Sequence, residues 1–207
     1  MTVYDIHLIK PTRYDDDGYP LQWWRSLIPS NSLACVVGLV QDAIDRRAFG
    51  DGVEARMHVV DETHTKVEPR DIIAGHRKGS GRTLVCLVGV QSNQFPRAVD
   101  IARPLRAAGI PVCIGGFHVS GCLSMLDEMP ADLREAQDLG ISFFAGEAED
   151  GRMDAVLRDG FDGRLETVYD HLAAAPNIAG APIPLLDPRE IRRNLSSYTS
   201  FDLGRGC

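Results

Sequence analysis

Lysine is nearly missing from this chain, and so are the cysteine spacings that hold metals. Only Lys10, Lys66 and Lys78 occur, and arginine supplies the rest of the 22 basic residues, against 29 acidic ones. A net charge of −7 and a pI near 5.3 exclude the basic face that nucleic acid or an anionic membrane surface attracts. Neither partner is expected. No apolar run approaches the ~20 residues that span a bilayer. The opening "MTVYDIHLIKP" lacks the basic start and long apolar stretch of a secretion signal, so a cytoplasmic location is expected. The five cysteines (Cys35, Cys86, Cys113, Cys122 and Cys207) form no CxxC or CxxxC, and their odd number argues against a disulfide framework. Cys35, Cys86 and Cys113 sit in apolar runs, where a thiol behaves as a small buried hydrophobe. G-x-G-x-x-G and G-x-x-x-x-G-K-[ST] are both absent, which disfavours a dinucleotide or P-loop site. No HExxH and no Ser-His-Asp spacing motif is present.

What is present is the profile of one folded domain with an extension: 207 residues, 44% hydrophobic and 25% charged. Strands are expected at residues 3–9, 53–61, 83–90 and 110–116, with a fifth opening residues 141–150. Helices are expected after Asn31 or Ser32 and at 68–79, 93–109, 130–140, 151–161 and 165–175; Pro104 should kink or split the third. This β-α alternation calls for an α/β fold, a five-stranded parallel sheet with helices on both faces. Four prolines between Pro176 and Pro188 mark an extended connector, giving a domain at 1–175 and a connector with a further strand at 176–207. A long turn-rich loop after the first strand carries both tryptophans, Trp23 and Trp24.

Open α/β sheets bind ligands beyond the carboxyl ends of their strands. Three such ends stand out: 89–96, 115–121 and 145–150. Gly115 and Gly116 either admit a bulky ligand to the backbone or only make a tight turn. Ser92, Asn93 and Ser120 offer polar groups near helix N-termini. His118 is a ligand contact or a hydrogen-bonding turn residue. Glu147 and Glu149 are site residues or acids favoured at a helix start. Asp5 and His7 share one side of the first strand and are expected to form a hydrogen-bonded structural pair. Asp15, Asp16 and Asp17 read as a solvated loop.

The stretch "GVQSNQFPRAVDIARPLRAAGIPVCIGGFHVSG", then "FFAGEAED", then a proline-rich connector into "SYTSFDLGRGC" resembles the cobalamin-binding radical SAM family. The resemblance covers essentially the whole chain and implies a Rossmann-like, flavodoxin-like cobalamin-binding domain. It implies that a partial barrel follows, whose CxxxCxxC loop holds a 4Fe-4S cluster that cleaves S-adenosylmethionine. By position, Ser92 and its neighbours match the loop bordering the cobalamin tail, and Gly115 and Gly116 the glycine pair behind it. Gly146 and Glu147 match a GEGE-type turn, and Cys207 the first cluster ligand. The turn here reads GEAE, and DxHxxG, whose histidine would ligate cobalt, is absent, so His7 is not assigned to cobalt. The remaining barrel is expected outside this sequence, and the chain alone is expected to cleave nothing. Two other readings stay open: a cobalamin-free docking module for the same barrel, and a free-standing corrinoid or flavodoxin-like binding protein.

Overall fold

A computed structural model describes residues 1–79 and 82–196. In chain order the elements are β1 (Thr2–Lys10), α1 (Asn31–Asp45), β2 (Val53–Asp61), α2 (Pro69–Lys78), β3 (Arg82–Leu87), α3 (Phe95–Ala107), β4 (Val112–Gly115), α4 (Phe117–Met125), α5 (Ala131–Asp138), β5 (Ser142–Ala145), α6 (Arg152–Asp162), β6 (Val168–Asp170) and α7 (Pro188–Arg192). All strand pairs are parallel, in the order β2-β1-β3-β4-β5-β6.

Alternation along the central strands divides the apolar residues between two cores. Tyr4, Ile6 and Leu8 of β1 pack with Leu33, Val37 and Val40 of α1 and with Val156 and Leu157 of α6. Ile9, Val85 and Leu87 face the other way, against Ile101 and Leu105 of α3 and Leu133 of α5. The near-continuous apolar run of β3 is therefore buried on both faces, as expected. Tyr4 is fully buried; its hydroxyl donates to the Leu157 carbonyl at 2.9 Å, and the rings of Phe49 and Phe161 each meet it edge-on at 5.2 Å.

Among the described residues the sheet has six strands, not five. Residues 165–175, expected to be helical, instead carry β6, whose Val168 and Tyr169 pair with Phe143 and Phe144 of β5. A β-branched and an aromatic residue on an open sheet edge favour pairing over an isolated helical turn. Residues 117–125 form α4, where only a loop was expected. Helix α1 is capped by Ser30, whose hydroxyl accepts from the Leu33 N–H at 3.3 Å, rather than by Asn31 or Ser32. Helix α3 is not split at Pro104, which sits in its last turn, where only one backbone bond is forfeited. Asp5 bonds not to His7 but to His58 on β2, at 2.9 Å, while His7 stacks on His58 with ring centroids 4.5 Å apart. The parallel register sets His7 directly beside His58, which decides the partner.

The connector runs back across α1. Leu185 donates to the Ala34 carbonyl at 2.9 Å, and a Cβ on Gly38 would stand 2.4 Å from the Ile183 carbonyl oxygen, so only glycine admits the crossing. The crossing ends beside the loop after β1, where Leu195 and Ser196 donate to the carbonyls of Ser26 and Leu27. Among the described residues, no helix is long and apolar enough to cross a membrane.

Burial, and next the neighbouring His58, push the His7 imidazole from 6.5 down to about 4. The unfolded chain then binds more protons than the folded chain between those values, so folding stability falls as pH drops from 6.5 toward 4. Replacing His7 by Phe keeps the stacked ring and removes the proton. Urea unfolding across this range should show the wild type losing on the order of 3 kcal/mol more than His7→Phe. Parallel stability profiles would contradict this.

Candidate functional site

The strand order reverses between β2 and β3, which flank β1, so the chain segments leaving β1 and β3 diverge at the carboxyl edge of the sheet. Such a divergence leaves a crevice where open α/β sheets hold ligands. The segment after β1 is pinned from beneath. Glu62 is fully buried and accepts the Thr12 N–H at 3.1 Å and a forked pair of bonds from Arg97 of α3, the shorter at 2.5 Å. Lys10 bonds Asp61 at 3.0 Å and Thr63 at 3.2 Å, and Gln94 donates to the Pro11 carbonyl at 2.9 Å. Sequence reading passed over Glu62 and Arg97. Their spacing of 35 residues, and the 50 residues between Glu62 and Thr12, leave no local pattern to find.

The turns after β3 and β4 are pressed together. Val90 donates to the Gly115 carbonyl and receives the His118 N–H on its own carbonyl, each at 3.0 Å. Gly116 lies between them at φ +143°, and a Cβ there would sit 2.2 Å from the Val90 nitrogen. Gly115 faces the Phe144 side chain of β5, whose Cβ would be 3.3 Å away. Gly116 is thus required by contact with the Val90 backbone, whereas Gly115 meets a side chain.

His118 lies on the first turn of α4, not in a loop. Its Nδ1 stands 3.1 Å from Ser92 Oγ, its Nε2 2.9 Å from Asp132 Oδ2 of α5, and its ring centroid 4.4 Å from that of Phe95. The fold therefore assembles serine, histidine and aspartate from three segments, although their spacing forms no motif. Asp132 was not foreseen, since nothing near it in the sequence names a partner. With both nitrogens engaged, His118 orients the exposed Ser92 hydroxyl; Asn93 is exposed beside it. The Ser120 hydroxyl accepts the Gly146 N–H at 3.0 Å and so ties α4 to the turn after β5.

Gly146, at φ +98°, packs against the His171 carbonyl, which a Cβ would meet at 2.8 Å. The left-handed conformations of this turn fall on Gly146, Asp150 and Gly151; Ala148 has none, so GEAE closes the turn without strain at the alanine. The Glu147 carbonyl accepts from Arg152 at 3.2 Å, and Arg152 also reaches the Ala174 carbonyl at 2.9 Å. Glu149 is buried. His171, just past β6, keeps a buried Nε2 with no hydrogen-bond partner, and burial first, then Arg152, pushes its imidazole down from the ordinary value.

Ser92, His118, Ser120, Gly115, Gly116 and Gly146 thus converge on one edge, with Asn93 and Glu147 adjoining. Cys207 lies outside the described residues. Of the described thiols, Cys86 and Cys113 are buried in the sheet; burial pushes Cys86 up to about 12 and Cys113 well above the ordinary thiol value. Among the described residues, no group of three or more His, Cys, Asp or Glu is placed to hold a metal ion.

The close approach at Gly116 makes a sharp contrast with its neighbour. Gly116→Ala should cost at least about 3 kcal/mol in urea unfolding, because backbone rather than a movable side chain blocks the methyl group. Gly115→Ala, with an ordinary φ and a side-chain neighbour, should cost under about 1.5 kcal/mol. Equal losses would refute the contact. For the buried pair, Glu62→Ala should cost about 3–5 kcal/mol by stranding Arg97, and removing both partners should cost much less than the two single losses together. A double-mutant cycle measures that coupling, and simple additivity would show that the pair does not act as a unit. Comparison with known proteins found no matching family model, no matching curated protein and no matching solved structure.

Proposed function

We propose that this chain is the cobalamin-binding region of a radical SAM enzyme, with a Rossmann-like, flavodoxin-like fold. The observation that carries the reading is the convergence at the carboxyl edge. The residues that match the family by position, drawn from the turns after β3, β4 and β5, are joined there through Ser92–His118 and Ser120–Gly146. The sequence resemblance supplies the ligand; the geometry supplies a single edge for it.

The donor set suits the group. The exposed Ser92 hydroxyl, held by His118, and the exposed Asn93 beside it can meet the phosphate and amide groups of a cobalamin tail. His118 has no nitrogen left for cobalt, and His7 lies within β1, stacked on His58. The reading therefore has cobalamin held through its periphery, without an imidazole from either residue. When bound, cobalamin supplies a transferable methyl group or a redox-active cobalt. The chain's own residues bind and orient it: His118 fixes Ser92, and the Gly116 contact fixes His118. The 4Fe-4S cluster and S-adenosylmethionine belong, in this reading, to a barrel outside this sequence, with Cys207 as one cluster ligand.

A second reading, a cobalamin-free docking module, draws on the loop after β1, where Trp23, Trp24, Leu27 and Ile28 are all exposed. Titration with hydroxocobalamin separates the two. Cobalamin binding should change the corrin spectrum and make the ligand co-elute with the protein. Ser92→Trp, at an exposed position, should abolish both at unchanged thermal stability. No spectral change with cobalamin in large excess would overturn the first reading and leave docking.

A further inference from the structure

The opposite, amino edge of the sheet carries a half-open cavity of about 270 Å³, lined among others by Arg82, Thr83, Arg106, Gly140, Ser142 and Phe161. Its place in the fold is well defined: Arg82 opens β3, Ser142 opens β5, and Arg106 lies in the last turn of α3. Arg106 donates one bond, from Nη1 to the Ile110 carbonyl at 2.8 Å. Its Nε is buried and has no hydrogen-bond partner among the described residues. Gly140 leaves the room for this guanidinium, since a Cβ there would stand 2.7 Å from Arg106 Nη2. Arg82 donates to the Phe161 carbonyl and lies over the Phe161 ring, 4.8 Å from its centroid.

A guanidinium has five N–H donors, and a buried donor without an acceptor costs stability. Each of these arginines meets one backbone carbonyl and, among the described residues, no carboxylate, although the chain carries a net charge of −7. Burial pushes the Arg106 guanidinium below its ordinary value, as expected of a cation without a counter-charge. The Arg82 bond offsets part of the negative end of α6 and the Arg106 bond meets the loop after α3, but among the described residues both leave donors unused. Hydroxyls at Thr83 and Ser142 add two small polar groups to the wall; Thr83 already meets His76 Nδ1 at 3.0 Å. Two forked cations beside hydroxyls in a half-open recess match an oxyanion with several acceptor oxygens.

We propose that this cavity binds a phosphoryl oxyanion, held between Arg82 and Arg106. The anion is either free phosphate or the phosphoryl group of a small metabolite. The site lies at the opposite edge of the sheet from the candidate cobalamin edge and is independent of that reading.

Phosphorus NMR of inorganic phosphate titrated with the whole chain, at constant ionic strength set by chloride, tests the site. Saturable line broadening is expected, and sulfate should reverse it. Arg106→Gln and Arg82→Gln should each weaken binding about tenfold or more, as loss of a charge-assisted bond implies. Arg82 is exposed, so its variant retains the test should Arg106→Gln fold poorly. Glycerol phosphate binding more tightly than phosphate would assign the site to a phosphorylated metabolite, and equal binding would assign it to the free ion. Unsaturable broadening, or variants that broaden phosphate as the wild type does, would overturn the proposal and leave the arginines as caps on helix ends.

Discussion

One missing methyl group organises the carboxyl edge. Because Gly116 has no side chain, the turn after β4 can lie against the Val90 backbone, and two bonds at 3.0 Å then cross between the turns. The start of α4 follows from that contact. Its first turn places the His118 ring over Phe95 and its nitrogens between Ser92 and Asp132. Two residues further on, Ser120 reaches the amide of Gly146. The polar groups of this edge are therefore not independent loop residues. They gather around the first turn of one helix, which is aimed by a backbone contact that no other residue type permits.

The other side of the crevice is held by a different device. Glu62 is fully buried, so its charge depends on Arg97 and the Thr12 amide being in place. Arg97 lies on α3 and Thr12 on the segment leaving β1, so a single carboxylate clamps a loop to a helix across the point where strand order reverses. A rigid floor lets the rest of the loop stay open to solvent, including Trp23 and Trp24. Tyr14 extends the same contact, donating to Asp100 of α3 at 2.6 Å.

Much of the architecture was legible because the signals were local. The alternation in "VEARMHVVD" gave β2 its full span, and the apolar run from Thr83 located the strand buried on both faces. Helix α4 was missed because "FHVSGCLSM" has no apolar stripe; its only fully buried residue is Val119, and Phe117 and Met125 point to solvent. Strand β6 was missed because three residues on a sheet edge carry too little pattern to outweigh the helix-favouring alanines after them. For the site, the glycines and Ser92, His118 and Ser120 could be marked from strand ends alone. Asp132, Glu62 and Arg97 could not, because each acquires its role from a partner far away in sequence. The Asp5–His7 pairing failed for a related reason: side-by-side placement on one strand says nothing about the neighbouring strand that supplies the closer partner.

The two ends of the sheet differ in kind, and the difference follows from its parallel construction. Every crossover helix runs against the strands, so helix starts gather at the carboxyl edge and helix ends at the amino edge. At the carboxyl edge the chain places hydroxyls, glycines and a histidine held between a serine and an aspartate. At the amino edge it places Arg82 and Arg106, each on a carbonyl near a helix end. A chain with only three lysines meets both demands with arginine, whose fork serves a carbonyl and a second acceptor at once. The same residue type thus clamps Glu62 beneath the crevice and lines the far cavity. What separates the two uses is the carboxylate: Arg97 has one within reach and is spent on structure, whereas Arg106, among the described residues, has none and keeps a donor free.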